Sequence, residues 1–301
     1  MSEPRSFFIE AAGARHHVVT WGDEGNPALL LVHGLRDHAR SWDWVARHFV
    51  DRFHVIAPDL RGHGDSDWVD AGAYTLAAYV MDLAEVVDSF WLSDINLVGH
   101  SLGGLISLRY AATFPEKLRC LCNIEGIELP IVRDQRRDPK PHPIHLRRWI
   151  ESVRQRRDRT HRYYSTRDEA RHRMAAEHPV IDAETIAHLV HHGTIHVSGK
   201  GYRWKYDNAC GLRAPEDANG VDLDDMLDAI ECPVMLAYGD ASWIPVPPEN
   251  RLNRLKKWHL VTFANASHWV HHQARQPFLE NLDNFLSDPG LQFELERQLH
   301  A

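Results

Sequence analysis

A serine flanked by glycines is the part of the sequence from which chemistry is most directly predicted. The motif Gly99-His100-Ser101-Leu102-Gly103 lies between a short apolar run, Ile95 to Val98, and a segment with apolar residues at helical spacing. Gly-x-Ser-x-Gly between a strand and a helix is typical of a sharp turn that holds a serine hydroxyl above the edge of a sheet. We therefore predict that Ser101 is a nucleophile. The alternative is a glycine-rich turn with an incidental serine.

A serine hydroxyl is a weak nucleophile unless a neighbouring base removes its proton. The chain contains 22 histidines, so position along the chain must select among them. His268 follows the last predicted strand and precedes the final predicted helix, in a loop that we expect at the same sheet edge as Ser101. We predict that His268 is the base. His271 and His272 are expected on the following helix, exposed to solvent.

The carboxylate that orients such a base has two candidates. The loop after the predicted strand Pro233–Gly239 places Ser242 where a Gly-x-x-Asp pattern would place the acid, and Asp240 comes two residues earlier. The predicted strand Leu118–Glu125 instead ends in a carboxylate whose longer side chain can reach the histidine loop. We favour Glu125 over Asp240.

Charge that develops on a substrate carbonyl oxygen requires two hydrogen-bond donors. In sites of this kind one is the backbone N–H after the nucleophile, and the other follows a neighbouring strand. We predict the amides of Leu102 and Leu35 in these roles. The substrate pocket is expected to include Gly34, Arg36, His100, Trp243 and Trp269, with Asp37, His38, Trp42 and residues 201–206 as further candidates at its mouth.

An alternation of strands and helices must carry these residues. It predicts a mostly parallel sheet covered by helices. The predicted strands are Ser6–Ala12 and His16–Trp21 as a hairpin, then Ala28–His33, His54–Asp59, Ile95–Gly99, Leu118–Glu125, Pro233–Gly239 and Leu260–Ala264. The predicted helices are Trp42–Phe49, Leu76–Leu92, Leu102–Phe114, Glu249–Lys256 and Gln276–Ser287.

The alternation stops after Gly126 and resumes near Cys232, with no clear strand between them. We predict a core of residues 1–126 and 231–301 and a helical cap of residues 127–230. Between Ile131 and Ala175 there are 13 Arg and 1 Lys against 6 Asp and Glu, an excess of +8. This excess indicates either solvated helix faces paired with acidic neighbours or a basic rim that attracts an anionic substrate or an acidic partner.

Composition argues against several other classes of protein. The 301 residues carry a net charge of −8, which disfavours nucleic-acid binding, and no apolar run is long enough to cross a membrane. The first residues lack the apolar core of a secretory signal. The 4 cysteines fit a reducing compartment and are expected to be core thiols without zinc. We expect a cytoplasmic protein.

Together these motifs resemble the α/β-hydrolase fold family. The landmarks are His-Gly at 33–34, Pro-Asp-Leu-Arg-Gly-His-Gly at 58–64, Gly-His-Ser-Leu-Gly-Gly at 99–104 and Ser-His-Trp at 267–269. The resemblance implies an α/β fold with a mostly parallel eight-stranded sheet flanked by helices, and a helical cap inserted after the sixth strand. It also implies the order nucleophile, acid, histidine, which Ser101, Glu125 and His268 keep.

An acid after the sixth strand is similar to some haloalkane dehalogenases and to a lactonase that opens zearalenone. Dehalogenases and epoxide hydrolases use an aspartate nucleophile, so Ser101 disfavours both activities. We therefore expect a serine hydrolase that cleaves a small-molecule carboxylic ester or lactone through an acyl-enzyme, without cofactor or metal and with a homodimer as a candidate assembly. The alternatives are a C–C bond hydrolase, a cofactor-free oxygenase or perhydrolase, and a receptor-like ligand-binding protein with vestigial hydrolysis.

Overall fold

Eight strands form one sheet in the computed structural model, which describes residues 3–128, 138, 140–219 and 223–290. Counting a separate pair, the strands of the described residues are β1 (Arg5–Ala11), β2 (Ala14–Trp21), β3 (Ala28–Val32), β4 (His54–Pro58), β5 (Ile95–His100), β6 (Leu118–Ile124), β7 (Thr194–Val197), β8 (Gly201–Trp204), β9 (Val234–Gly239) and β10 (Trp258–Phe263). The sheet order is β1-β2-β4-β3-β5-β6-β9-β10, and β7 pairs only with β8. Apart from β2, which is antiparallel to β1 and β4, neighbouring strands of the large sheet are parallel. The predicted mostly parallel sheet of eight strands is confirmed.

Helices cover both faces of this sheet. They are α1 (Asp43–Phe49), α2 (Leu76–Ser89), α3 (Leu102–Thr113), α4 (His142–Arg157), α5 (Arg167–Glu177), α6 (Ala183–Gly193), α7 (Pro215–Asn219), α8 (Leu223–Ala229), α9 (Glu249–Leu252), α10 (Val270–Gln273) and α11 (Arg275–Ser287). Short 3-10 turns span Ala39–Trp42 and Pro115–Lys117. Among the described residues no helix is long and apolar enough to cross a membrane.

The central strands are buried on both faces, which explains their continuous apolar sequences. Every residue of β3 is buried, and its side chains alternate between two separate core clusters. Leu30 packs with residues of α2 and α3 on one face, whereas Leu29 and Leu31 pack with residues of α1 and α11 on the other. All four cysteines are free and buried, as expected of core thiols.

The inserted segment contains a short hairpin as well as helices, and the sequence analysis does not predict this hairpin. Thr194–Val197 and Gly201–Trp204 form an antiparallel hairpin inside it. The hairpin adds to no larger sheet, and most of its side chains are half-buried or exposed, so it lacks a clear apolar alternation. The signal that could have revealed it is the turn between Gly199 and Gly201, both of which have positive φ. Residues 131–137 of the arginine-rich segment lie outside the described part of the chain.

The start of α3 fits against its neighbours only because glycines face them. A Cβ atom on Gly103 would collide with the backbone oxygen of Val32, and one on Gly126 would collide with the Cα atom of Gly104. These contacts bring β3, the end of β6 and the first turn of α3 so close together that their backbone atoms are in contact. Residues that flank this turn are therefore placed with little freedom.

We expect Gly126→Ala to lower the free energy of unfolding by about 1–3 kcal/mol, since the added methyl group must push α3 away from the end of β6. Urea unfolding measures the change. Gly72→Ala is the matched control, because a Cβ there meets only ordinary van der Waals neighbours at 3.5 Å or more. Equal stability of the two variants would contradict the close approach.

Candidate active site

Ser101 occupies the turn between β5 and α3. Its φ of 54° and ψ of −112° fall in a region that non-glycine residues rarely adopt, and such strain persists only where the surroundings enforce it. The Ser101 N–H donates to the carbonyl of Ile124 at 2.8 Å, and the Ser101 carbonyl accepts from Leu105 of α3 at 2.9 Å. Both partners belong to regular elements, so the turn holds the hydroxyl in one place above the sheet edge.

His268 lies in the loop between β10 and α10, and its ring reaches the serine. The Nε2 atom is 2.9 Å from Ser101 Oγ, which is within hydrogen-bonding distance for proton transfer. Two contacts fix the loop: Ser267 N–H donates to the Gln273 side chain at 2.6 Å, and Ala241 N–H donates to the Ala266 carbonyl at 3.0 Å. The sequence-predicted pair of Ser101 and His268 is thus brought together.

Glu125 follows β6 directly and is fully buried with a positive φ of 49°. Its Oε2 atom is 2.7 Å from His268 Nδ1 and also accepts from Ser242 Oγ at 2.6 Å, while Oε1 accepts from the Gly239 N–H at 2.8 Å. These donors compensate the carboxylate for the water that burial removes. Asp240, the other candidate, is exposed. The structure therefore places Glu125 against the histidine.

Ser242 and the Gly239 amide are partners of Glu125 that the sequence analysis does not predict. Ser242 stands where a Gly-x-x-Asp pattern would place an aspartate. In the structure its hydroxyl donates to Glu125 and accepts from the Ile244 N–H at 3.1 Å. A hydroxyl residue at the usual acid position is the signal that could have indicated a partner for a carboxylate on the next strand.

The two expected oxyanion donors belong to segments that flank Ser101. Leu102 is the first residue of α3, so the helix supplies no partner for its N–H. Leu35 follows Gly34, where an added Cβ would lie 3.4 Å from Ser101 Cβ. Two backbone segments next to the hydroxyl, one of them a helix N-terminus, can stabilise developing negative charge.

The expected pocket residues take different positions. Trp269 stacks on His178 at a centroid distance of 4.5 Å, and Trp243 is 62% exposed with its ring 5.3 Å from that of His268. The Arg36 side chain is exposed. His100 is 1% exposed, and its Nε2 donates to the His268 carbonyl at 2.9 Å, so it supports the loop that carries His268. Gly34 lies between the His100 ring and Ser101.

One cavity, of about 310 Å³, is lined by Glu128, Asp224 and several residues between Pro245 and Arg254, and another, of about 130 Å³, is lined by His17, Asp59 and Lys205 among others. Neither of these two cavities is lined by Ser101 or His268.

The expectation that His271 and His272 face solvent is wrong. Both are buried, since the short helix α10 packs inward against the N-terminal part of the core. His271 stacks on Trp42 at 4.6 Å, and His272 packs edge-on against Trp44 at 6.0 Å. Burial lowers the pKa of His271 far below its ordinary value and that of His272 to about 3. Because both residues are polar, no apolar pattern in the sequence predicts their burial.

Three groups of side chains in the described part of the chain can hold a metal ion: Asp37, His100 and His271; Asp43, His188 and His192; His17, Asp59 and Asp65. In the first, all three residues are buried, and burial raises the pKa of Asp37 to about 7. In the others, carboxylates already bind protein groups, since Arg40 donates twice to Asp43 and His17 contacts Asp59 at 2.7 Å. The absence of a metal requirement stays a prediction.

Because His272 has an ordinary pKa of 6.5 and a folded pKa of about 3, only the unfolded state binds its proton between these values. Stability should therefore fall as the pH falls below 6.5. We expect His272→Phe to reduce the loss of unfolding free energy between pH 7.5 and pH 5.0 by about 2 kcal/mol, at 1.4 kcal/mol per pH unit below 6.5. Urea unfolding at the two pH values measures this.

His172→Gln, on the exposed face of α5, is the control and should leave the pH dependence unchanged. If His272→Phe has the same dependence as the unmodified protein, the histidine is not held neutral by burial.

Comparison with known proteins identifies a family whose model matches most of the chain. The family model described as the alpha/beta hydrolase family matches residues 29–280. Among curated proteins, Epoxide hydrolase 4 of Mus musculus is 36% identical over 111 residues, and Lipase LipV of Mycobacterium tuberculosis (strain ATCC 25618 / H37Rv) is 36% identical over 105 residues. These matches cover 36% and 35% of this chain and only 31% and 39% of the two relatives.

Solved structures are similar over nearly the whole chain. The thioesterase domain from the curacin biosynthetic pathway superposes with a TM-score of 0.83 at 22% identity, covering 94% of this chain and 100% of that domain. At this level of identity the likeness extends to the fold alone. The side chains at the edge of the sheet must therefore indicate what the fold is used for.

Proposed function

Because this chain belongs to the alpha/beta hydrolase family, we propose that it is a serine hydrolase that cleaves a carboxylic ester or lactone through an acyl-enzyme. One observation carries the proposal, the hydrogen-bonded chain from Glu125 Oε2 through the His268 ring to Ser101 Oγ, with contacts of 2.7 and 2.9 Å. A carboxylate, an imidazole and a hydroxyl in this order are the parts that acyl transfer by serine requires.

In the proposed mechanism, Ser101 Oγ attacks the carbonyl carbon while His268 Nε2 accepts the hydroxyl proton. Glu125 keeps the Nδ1 proton on the ring and stabilises the imidazolium that forms. The amides of Leu35 and Leu102 receive the oxyanion. His268 then gives its proton to the leaving alcohol, and a water molecule cleaves the acyl-enzyme by the reverse of these steps.

The type of nucleophile favours acyl transfer over epoxide opening. A carboxylate that opens an epoxide forms an ester, which water can cleave. A serine oxygen would form an alkyl ether, which the same base and oxyanion donors cannot hydrolyse. The match to Epoxide hydrolase 4 therefore supports only a relationship between the two chains. Ser101 at the turn supports ester or lactone chemistry.

We propose that residues 127–230 act as a cap over the core of residues 1–126 and 231–301. Hydrogen bonds join the two parts at several points. Trp68 Nε1 donates to the Lys205 carbonyl at 2.8 Å, His38 Nε2 donates to the Leu189 carbonyl at 3.0 Å, and Tyr74 donates to Asp207 at 2.6 Å. The Trp269–His178 stack extends this contact to the histidine loop. Such a cap would restrict which substrates reach Ser101.

The first test is hydrolysis of p-nitrophenyl esters from acetate to octanoate by the unmodified protein and Ser101→Ala. We expect Ser101→Ala to lose about 10³-fold or more in kcat, because no other group can form the acyl-enzyme. A burst of nitrophenol equal to the enzyme concentration would mark the intermediate. Activity that survives in Ser101→Ala would contradict the proposal, and cleavage of a β-diketone in place of esters would favour the C–C hydrolase.

We expect Glu125→Gln to lower kcat by roughly 10³- to 10⁴-fold, because a neutral amide can neither select the histidine tautomer nor stabilise the imidazolium. Asp240→Asn is the matched control, since it removes an exposed carboxylate on the adjacent loop, and it should stay within about twofold. Steady-state kinetics on the best p-nitrophenyl ester measures both. The opposite ranking would move the acid to Asp240.

The contact between Ser242 and Glu125 offers a stricter form of the same experiment. Ser242 Oγ lies 2.6 Å from Glu125 Oε2, so the side chain of an aspartate at 242 would extend towards the place of the Glu125 carboxylate. We expect Glu125→Ala/Ser242→Asp to recover at least tenfold over Glu125→Ala alone. Failure of this rescue together with full activity of Glu125→Gln would remove Glu125 from the mechanism.

A further inference from the structure

Arg36 is a cation two residues after Gly34, which packs close to Ser101, and no acidic side chain pairs with it in the described part of the chain. It follows Leu35 directly, and its backbone has a φ of 63°, which is unfavourable for an arginine. Backbone strain of this kind often accompanies functional positions. The Arg36 side chain is exposed, whereas its neighbour Asp37 is buried.

The guanidinium of Arg36 lies against residues of the inserted segment. Its Cζ atom is 5.4 Å from the ring centroid of Tyr206, which in turn stacks on Trp204 at 6.1 Å. A Cβ atom on Gly211 would lie 3.8 Å from Leu35 and 4.0 Å from Arg36 Nη2. An aromatic ring over one face of a guanidinium leaves the N–H groups in its plane available to an anion.

Two further arginines add positive charge around the same stretch of the cap. Arg156 donates to the Asn208 carbonyl at 3.0 Å, and Arg213 donates to the Cys210 and Leu212 carbonyls at 2.8 and 2.9 Å. Carbonyl oxygens orient a guanidinium without cancelling its charge. Burial raises the pKa of the Cys210 thiol to about 12, while the charges of all three arginines oppose that rise.

The nearby carboxylate of Asp207 makes its hydrogen bonds to neutral groups and forms no ion pair with Arg36. It accepts from the Tyr74 hydroxyl at 2.6 Å and from the Ala209 N–H at 2.9 Å. The outer cations of the cap differ from Arg36, because they pair with carboxylates at the surface: Arg157 with Asp70 at 3.0 Å and Arg171 with Asp168 at 2.8 Å. Exposed pairs of this kind leave little charge to attract a ligand.

We propose that Arg36 binds a carboxylate on the acyl part of the substrate, so that the preferred substrates are half-esters of dicarboxylic acids or the corresponding lactone acids. This inference rests on the proposed serine hydrolase function. In that mechanism the leaving alcohol departs on the side of His268, whereas Arg36 extends from the oxyanion segment. A planar guanidinium matches a carboxylate through two parallel hydrogen bonds.

The test compares two esters of equal acyl length, the p-nitrophenyl monoester of glutaric acid and p-nitrophenyl pentanoate. We expect the ratio of their kcat/KM values to fall roughly 10- to 100-fold in Arg36→Gln, mainly through KM for the glutarate ester. Arg36→Lys should give an intermediate ratio, because it keeps the charge and loses the fork. Arg162→Gln is the matched control, since it removes another exposed cap arginine that lies over an aromatic ring, Tyr164, at 5.1 Å.

Two results would overturn the assignment of Arg36: an unchanged ratio, as an equal loss of kcat/KM for both esters would give, or the same fall in Arg162→Gln. An equal loss would mean that Arg36 only positions Leu35. Ser101→Ala separates this failure from that of the proposed function, because retained hydrolysis in that variant would overturn the mechanism itself.

Binding gives a second readout that does not depend on turnover. Glutarate should raise the Tm of Ser101→Ala, and the double variant Ser101→Ala/Arg36→Gln should lose that rise. An equal rise in both would also overturn the role of Arg36.

Discussion

The turn at Ser101 is the constraint on which the rest of the site depends. Its backbone conformation is unfavourable for a serine. The conformation persists because the backbone segments on either side pack as closely as only glycines allow. β3, β5, β6 and the first turn of α3 meet there. Leu35 follows β3, Leu102 begins α3 and Glu125 follows β6, so the fold that strains the serine also determines where these residues stand.

Burial of Glu125 is the second requirement of the arrangement. A carboxylate removed from water is costly unless hydrogen bonds replace the lost hydration. Three donors do so here, and two of them, Gly239 and Ser242, come from the end of β9 and the loop after it. A Gly-x-x-Asp pattern would place the acid after β9. Here β9 and its loop instead contribute hydrogen-bond donors to Glu125, which follows the neighbouring strand β6. A single carboxylate between two strand ends is sufficient, because both strands end at the same edge of the sheet.

The sequence predicted the residues that depend on local pattern and on the geometry of parallel strands. Ser101 was predictable from its motif, and His268 and Glu125 from the rule that parallel strands end at one edge. What failed depends on tertiary contacts. The burial of His271 and His272 is decided by how α10 packs against Trp42 and Trp44, and polar residues carry no sign of that.

Element ends were also less predictable than the elements themselves. The predicted helix from Glu249 ends at Leu252, four residues before the expected end at Lys256, since the following residues turn towards β10. The hairpin of β7 and β8 was missed for a related reason. Its residues pack on the cap through rings such as Trp204, so their pattern reflects a small local core instead of the main sheet.

The hydrogen bond from His100 to the carbonyl of His268 links the end of β5 to the histidine loop. Because a carbonyl only accepts, the proton of the His100 ring must be on Nε2, and the contact has a defined direction. His100 directly precedes Ser101 in the chain, so a shift of the end of β5 is transmitted to the backbone of His268. Thermal motion of this edge would then carry hydroxyl and imidazole together, and the separation between them would vary less than the position of either.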